Sequence, residues 1–396
     1  MKPATTELFA AFRRLPPPFW VLAAGTFVNR FATLLVPFIT LYLIRLGYTP
    51  SDAGLAVLSY AVGGFACSFI AGPLADLFGR NRVMAIALLA EAGCVLSVGF
   101  AQGFSEIVIL MGVAGFVAQG AHPATQALIA DIVPDKDRVA AQLAIRVAIN
   151  VGWSLGPATA GFVIAYADSY FPLFVADACT SAILAVLSWF FLPRGKPSGV
   201  DGGRWAPALA ALAKCRPMIA IMAATLCASF IFRQLCTTLN LHLKAHGYGE
   251  AIIGLVQSVN GAIIIFCEIP LTAATSHFSY RRGVAWGFFL LGAGMAINLF
   301  GGNVWVVLAG MAVFTVGEML CLPRHSAWVQ QLSPEGMRGR FSGFAGFAWL
   351  GGNLLGSWGG LAIYEVSPHT LWALCGVAGV LTLLVLREPA REVSAY

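Results

Sequence analysis

Charge is what this sequence has least of. Only 11% of its 396 residues are Asp, Glu, Lys or Arg, whereas a soluble domain carries about 25% to keep its surface wetted. That deficit excludes a water-exposed surface for most of the chain and leaves no room for a large soluble domain. Enzyme signatures are missing too. There is no HExxH, no Walker A sequence and no paired metal-ligand spacing among the six histidines. Gly152-Trp-Ser154-Leu-Gly156 matches a nucleophile elbow literally, but that chemistry needs a strand-to-helix turn with His and Asp in reach. Here the five residues sit in an apolar helical run. The nine cysteines include no CxxC pair, and nearly all fall inside apolar stretches, so they read as small core side chains rather than disulfides or ligands. No metal and no cofactor are expected.

What is there is apolar. Hydrophobic residues make up 59%, and the mean hydropathy is +0.80. A bilayer span takes about 20 such residues, so the chain has length for about a dozen. Apolar stretches between charged or Gly/Pro punctuation give twelve, near 18–44, 52–75, 82–101, 106–131, 139–166, 170–192, 217–243, 251–274, 283–300, 304–330, 341–364 and 370–386. The first is long and lacks a small-residue cleavage site, so it reads as a retained span rather than a signal peptide. The one long connection, 193–216, is rich in Gly, Pro and Ser. It divides the chain into an expected six-helix bundle over 1–192, a linker, and a second bundle over 217–396.

Eighteen basic residues, among them Lys2, Arg80, Arg138, Arg194, Arg281 and Arg338, fall on one side of these spans, and only Arg45 and Lys244 on the other. By the positive-inside rule that side is cytoplasmic and holds both termini. The net charge of +6 is thus a topology signal and no argument for nucleic acid. The halves also repeat. A gapless shift of 200 residues lays Gly47-Tyr48 on Gly247-Tyr248, Pro123 on Pro323, Arg138 on Arg338, and Gly152 and Gly156 on Gly352 and Gly356.

The turn after span two reads Gly72-Pro-Leu-Ala-Asp76-Leu-Phe-Gly79-Arg80-Asn-Arg82. It resembles the signature loop of the major facilitator superfamily, with Leu77 where that family usually has a basic residue. The resemblance implies two pseudo-symmetric bundles of six helices, and a cytoplasmic gate in which Asp76 faces a helix end while Arg80 and Arg138 pair across the seam. An ordinary positive-inside turn would carry the bases without the acid. Span five, Arg146-Val-Ala-Ile-Asn150-Val-Gly152-Trp-Ser-Leu-Gly156-Pro157-Ala-Thr-Ala-Gly161, is similar to the glycine-proline motif of the exporter branches, and Asn150 and Trp153 to the bacterial drug-exporter group. Glycines four apart also serve tight helix packing alone. In span four Phe116 stands where many of these antiporters place an arginine, which alters the proton relay the resemblance implies.

Charges inside spans are costly, about 3 kcal/mol or more at mid-bilayer, so they mark cavities or partners. Arg30 in span one and Arg233 in span seven occupy equivalent spans, and suggest an anionic group on a substrate or pairing with an acid such as Asp177 or Glu91. The candidate proton carriers are Glu318 first, mid-span beside Pro323, then Glu91, Glu268 and Asp131. The expected substrate contacts are Arg30, Tyr60, Gln119, Asn150, Arg233, Gln234, Asn260, Glu318 and Trp349. With no ATP site, movement of solute draws on an ion gradient or is passive. The resemblance implies a proton-coupled exporter of small amphipathic compounds in a bacterial inner membrane. It would be monomeric, with small-molecule substrate, protons and lipid as its partners. Export of peptides or other zwitterions is a second reading, and a non-transporting receptor or scaffold a third.

Overall fold

A computed structural model describes residues 12–33, 35–68, 78–134, 137–194, 205–275, 277–334 and 337–386. The elements are α1 (Pro17–Ala32), α2 (Leu35–Arg45), α3 (Pro50–Ser68), α4 (Arg80–Val98), α5 (Phe104–Ile132), α6 (Arg138–Ala167), α7 (Phe171–Phe191), α8 (Trp205–Lys214), α9 (Arg216–Cys236), α10 (Thr238–Ala245), α11 (Glu250–Ala274), α12 (Tyr280–Ala296), a 3₁₀ turn (Ile297–Phe300), α13 (Val304–Leu332), α14 (Arg338–Val366) and α15 (Pro368–Val385). No strand occurs among the described residues. In lipid a spanning backbone must satisfy its own hydrogen bonds, and the helix does so within one segment.

Among the described residues, ten helices are long and apolar enough to cross a membrane, counting Pro17–Arg45 as one. Expected spans two and eleven are present as α3 and α14 but fall short of that hydropathy. Both spend positions on glycine, and some of those glycines lie against other helices. A Cβ at Gly63 or Gly115 would run into the backbone of the facing helix, Gly112 and Tyr60 respectively. One at Gly352 would strike the Leu226 carbonyl. Close approach replaces side-chain hydrophobicity as the source of cohesion, because lipid tails compete equally for apolar surface. Outward-facing side chains are large and apolar instead. Phe190 is 73% exposed, Phe266 78% and Ile269 80%, which water would not tolerate in such number.

The chain forms two compact units, one of Met1–Tyr42, Leu55–Asp201 and Gly249–Gly261, the other of Leu43–Gly54, Gly202–Tyr248 and Ala262–Tyr396. In the first, Phe19 and Leu22 of α1, Met84 and Leu88 of α4, Leu128 of α5, Ile145 of α6 and Leu184 of α7 make one core. In the second, α12 and α13 meet along glycines. A Cβ on Gly287 would lie 2.8 Å from the Gly317 carbonyl, and one on Gly294 2.6 Å from that of Gly310.

Two spans are interrupted at matching places. α1 ends at Ala32, with Thr33 at φ −73°, ψ 79°. α9 ends at Cys236, with Thr237 at φ −114°, ψ −78°, before α10 resumes at Thr238. In both, the threonine hydroxyl donates to the carbonyl four residues back, Thr33 to Asn29 and Thr237 to Arg233. Such back-bonding bends helices. The apolar pattern predicts two unbroken spans; the breaks fall three residues after Arg30 and four after Arg233.

Pro157 lies inside an unbroken α6. A proline disturbs the backbone bonding of its turn. The Ala158 N–H donates to the Ser258 hydroxyl of α11, at 2.9 Å, while Ser154 donates to the Ser258 carbonyl. Ser154 is thus a packing serine within a helix, as expected for the chance elbow match.

Candidate functional site

Four helices of the first unit enclose a polar cavity of about 130 Å³, with Ile145 and Ile149 of α6 and Leu184 of α7 completing the wall. α1 contributes Thr26, Asn29, Arg30 and Thr33, α3 Tyr60, α4 Met84, Leu88 and Glu91, and α5 Ala118, Gln119, Ala121 and Thr125. The α1 residues follow helical spacing on one face, so a single apolar helix presents a polar stripe to the hollow. That stripe could have been read from Thr26-x-x-Asn29-Arg30-x-x-Thr33; only Arg30 was singled out because it alone carries charge.

α1 is held from two sides. The Asn29 amide donates to the Ser181 hydroxyl of α7 at 2.9 Å, a buried bond with nothing to replace it. Behind Arg30, α6 presses in at Gly152, where a Cβ would lie 2.9 Å from both Arg30 Cβ and Phe31 N. The glycine-proline motif therefore does structural work here: it lets α6 approach the backbone that carries Arg30.

Arg30 and Glu91 are the charged side chains on this wall, and each lies within electrostatic reach of the other. Glu91 is 9% exposed. Neither is joined to another group by a hydrogen bond or an ion pair among the described residues. A cation and a carboxylate in one low-dielectric hollow attract strongly, and here both side chains line the space without an ion pair between them.

Of the expected substrate contacts, the structure thus brings together Arg30, Tyr60 and Gln119, with Glu91. Asn150, half-buried on α6, is not in the wall of this cavity. Asn260 is half-buried on α11, in the Gly249–Gly261 segment of the same unit. The others lie in the second unit. Cys236 is within reach of the charges of both Arg233 and Glu318, so those two belong to one neighbourhood. Trp349 stacks on Phe232, which also meets Phe314, both at 5.5 Å between ring centroids. Gln234 departs from expectation. Fully buried, it donates to the Phe230 and Gly356 carbonyls and accepts from Thr238. Its amide is used in the α9–α14 contact.

The expected gate lies partly outside the described residues, since Asp76 is not among them. Arg80 is described, and it forms an ion pair with Asp131. Asp131, expected as a possible proton carrier, is the acidic partner in that pair. The Arg80 N–H donates to the Arg194 carbonyl, Asn81 to that of Leu192, and the Arg82 guanidinium sits over Trp189. These contacts tie the start of α4 to the end of α7. Arg138 is exposed at the start of α6. Glu268 is half-buried on α11 between outward-facing Phe266 and Ile269. One buried cation escaped the sequence reading. Arg324 of α13 donates to the Thr275 carbonyl and hydroxyl just past α11, where a helix C-terminus favours positive charge.

A multi-pass helical fold with a charged hollow inside one bundle describes a membrane carrier, and comparison with known proteins agrees. The family model described as Major Facilitator Superfamily matches residues 21–267 and 221–395. The chain belongs to that superfamily. It is 25% identical over 374 residues to the uncharacterized MFS-type transporter YqjV of Bacillus subtilis (strain 168), covering 89% of this chain and 88% of that one. It is 24% identical to a Na(+), Li(+), K(+)/H(+) antiporter of Planococcus maritimus, with 84% and 86% covered. It is also 24% identical to the quinolone resistance protein NorA of Staphylococcus aureus (strain COL), with 90% and 92% covered. Among solved structures, a peptide transporter POT in complex with sulfate superposes with a TM-score of 0.78 at 14% identity, over 94% of this chain and 93% of that one; this likeness is one of fold. The protein is a multi-pass membrane transporter.

Proposed function

We propose that the protein exports small amphipathic compounds in exchange for protons, by alternating access between its two halves. The observation that carries this reading is the polar hollow of the first unit, with a buried acid and a cation facing it beside a broken helix. Irregular backbone at membrane depth is tolerated where it lines a cavity, and a membrane-buried ionisable group marks a transport pathway. Two relatives bear names that support the reading, one an antiporter using protons and one a resistance protein.

Arg30, Tyr60 and Gln119 bind substrate in the first unit, and Arg233, Glu318 and Trp349 in the second. We assign the exchanged proton to Glu91 ahead of Glu318, because Glu91 faces the hollow with its carboxylate unengaged. The test is flux in proteoliposomes with an imposed pH gradient and a substrate panel. Uphill movement of a compound with proton counterflow is expected. Flux that ignores the gradient, or no flux for any compound, overturns the reading. Export of zwitterions is the second reading, favoured by the two opposite charges on one cavity wall.

A further inference from the structure

We infer that the Arg30–Glu91 cavity is a headgroup site for a compound carrying both an anionic group and a protonated amine, and that this amine displaces the proton from Glu91. The inference rests on the exchange reading above and adds which residue holds each charge of the substrate and how binding expels the proton. Two observations start it. A guanidinium and a carboxylate face one hollow without closing into an ion pair, and each keeps its hydrogen-bonding capacity. At about 130 Å³ the hollow is smaller than the ~300–1,000 Å³ of a site for a whole drug-sized ligand. It therefore suits a polar head whose apolar remainder lies elsewhere.

Charge balance then selects the head. An anion alone on Arg30 leaves Glu91 opposite a like charge unless it is protonated. Anion and proton would then bind together and travel together, the opposite of exchange. An amine alone on Glu91 puts a second cation beside Arg30. A head with both groups resolves both conflicts: carboxylate or similar anion on Arg30, ammonium on ionised Glu91, net charge zero. The step balances as Glu91 carboxylic acid plus substrate ammonium giving the carboxylate–ammonium pair and one released proton. From the cytoplasmic side binding releases a proton inward; from the outer side proton uptake by Glu91 releases the substrate. Tyr60, Gln119 and Asn29 are the polar neighbours that orient the head.

The experiment uses the purified full chain and a panel of hydrophobic α-, β- and γ-amino acids, each with its N-acetylated and its amidated form. Binding is read by thermal stabilisation, and proton release with a pH dye in weak buffer. At least one free zwitterion should bind, with both blocked forms weaker by about ten-fold or more, as loss of a hydrogen bond to a charged group implies. Arg30→Gln should erase discrimination against the amidated form, and Arg30→Lys should keep it. Glu91→Gln should erase discrimination against the N-acetylated form and abolish proton release. A merely structural role would weaken all three forms alike. Equal binding of blocked forms, no bound zwitterion, or proton release that survives Glu91→Gln overturns the inference. Where pH-driven flux of another compound persists alongside such a result, the export reading stands and only this one falls.

Discussion

Replacing Gly152 by alanine adds one methyl group where α6 crosses α1. In the present geometry that methyl would lie 2.9 Å from Arg30 Cβ, 2.9 Å from Phe31 N and 3.1 Å from Arg30 C. Two of the three obstacles are backbone atoms, so no side-chain rotation relieves them. Ordinary carbon contacts sit near 3.5–4.0 Å, so the helices must separate by at least about half an ångström. Overpacking of this kind costs about 1–3 kcal/mol. The separation also moves Arg30 relative to Glu91, since Asn29 stays tied to Ser181. Misplacing a binding group by about 1 Å costs on the order of 100-fold in rate, so transport should fall further than stability does. The assay pairs a detergent melting midpoint with pH-driven flux in proteoliposomes. Gly93→Ala is the control, because a Cβ there meets nothing within 4 Å; it should leave flux unchanged and slightly favour the helix. Wild-type melting and flux for Gly152→Ala would refute the claim that this glycine sets the position of Arg30.

Asp131→Asn removes the carboxylate paired with the largely buried Arg80 and should destabilise the protein by about 3 kcal/mol, read as a lower melting midpoint; an unchanged midpoint counts against a structural ion pair. Ser258→Ala removes the acceptor of the Ala158 N–H and should cost about 1–3 kcal/mol, whereas Ser258→Thr, which keeps the hydroxyl, should cost less. Glu318→Gln should keep substrate-driven proton release while Glu91→Gln loses it. The reverse pattern, measured with the same dye, would move the exchange site into the second unit.

The membrane character was legible in the residue order, which also carried the expectation of twelve spans in two repeating halves; among the described residues ten helices qualify by length and hydropathy. The reason is physical: partition into a bilayer is decided locally, by whether about 20 consecutive side chains are apolar, and a duplicated bundle repeats its rare residues at a fixed offset. The motif loop likewise pointed to the superfamily without any coordinates. Which face of each helix looks inward was not legible. These helices are hydrophobic nearly all round, so periodicity hardly marks their rotation about the axis. Only packing did that. It turned Gln234 into a contact with Gly356, engaged Asp131 with Arg80, and brought Arg324 to the end of α11. The breaks at Thr33 and Thr237 were equally hidden, because a threonine in an apolar run reads as helix or bend alike until its neighbours choose. Sequence alone placed charges at Arg30 and Glu91. Their meeting across one hollow depends on contacts between helices far apart in the chain, Asn29 with Ser181 and Gly152 with Arg30, and those exist only in the folded bundle.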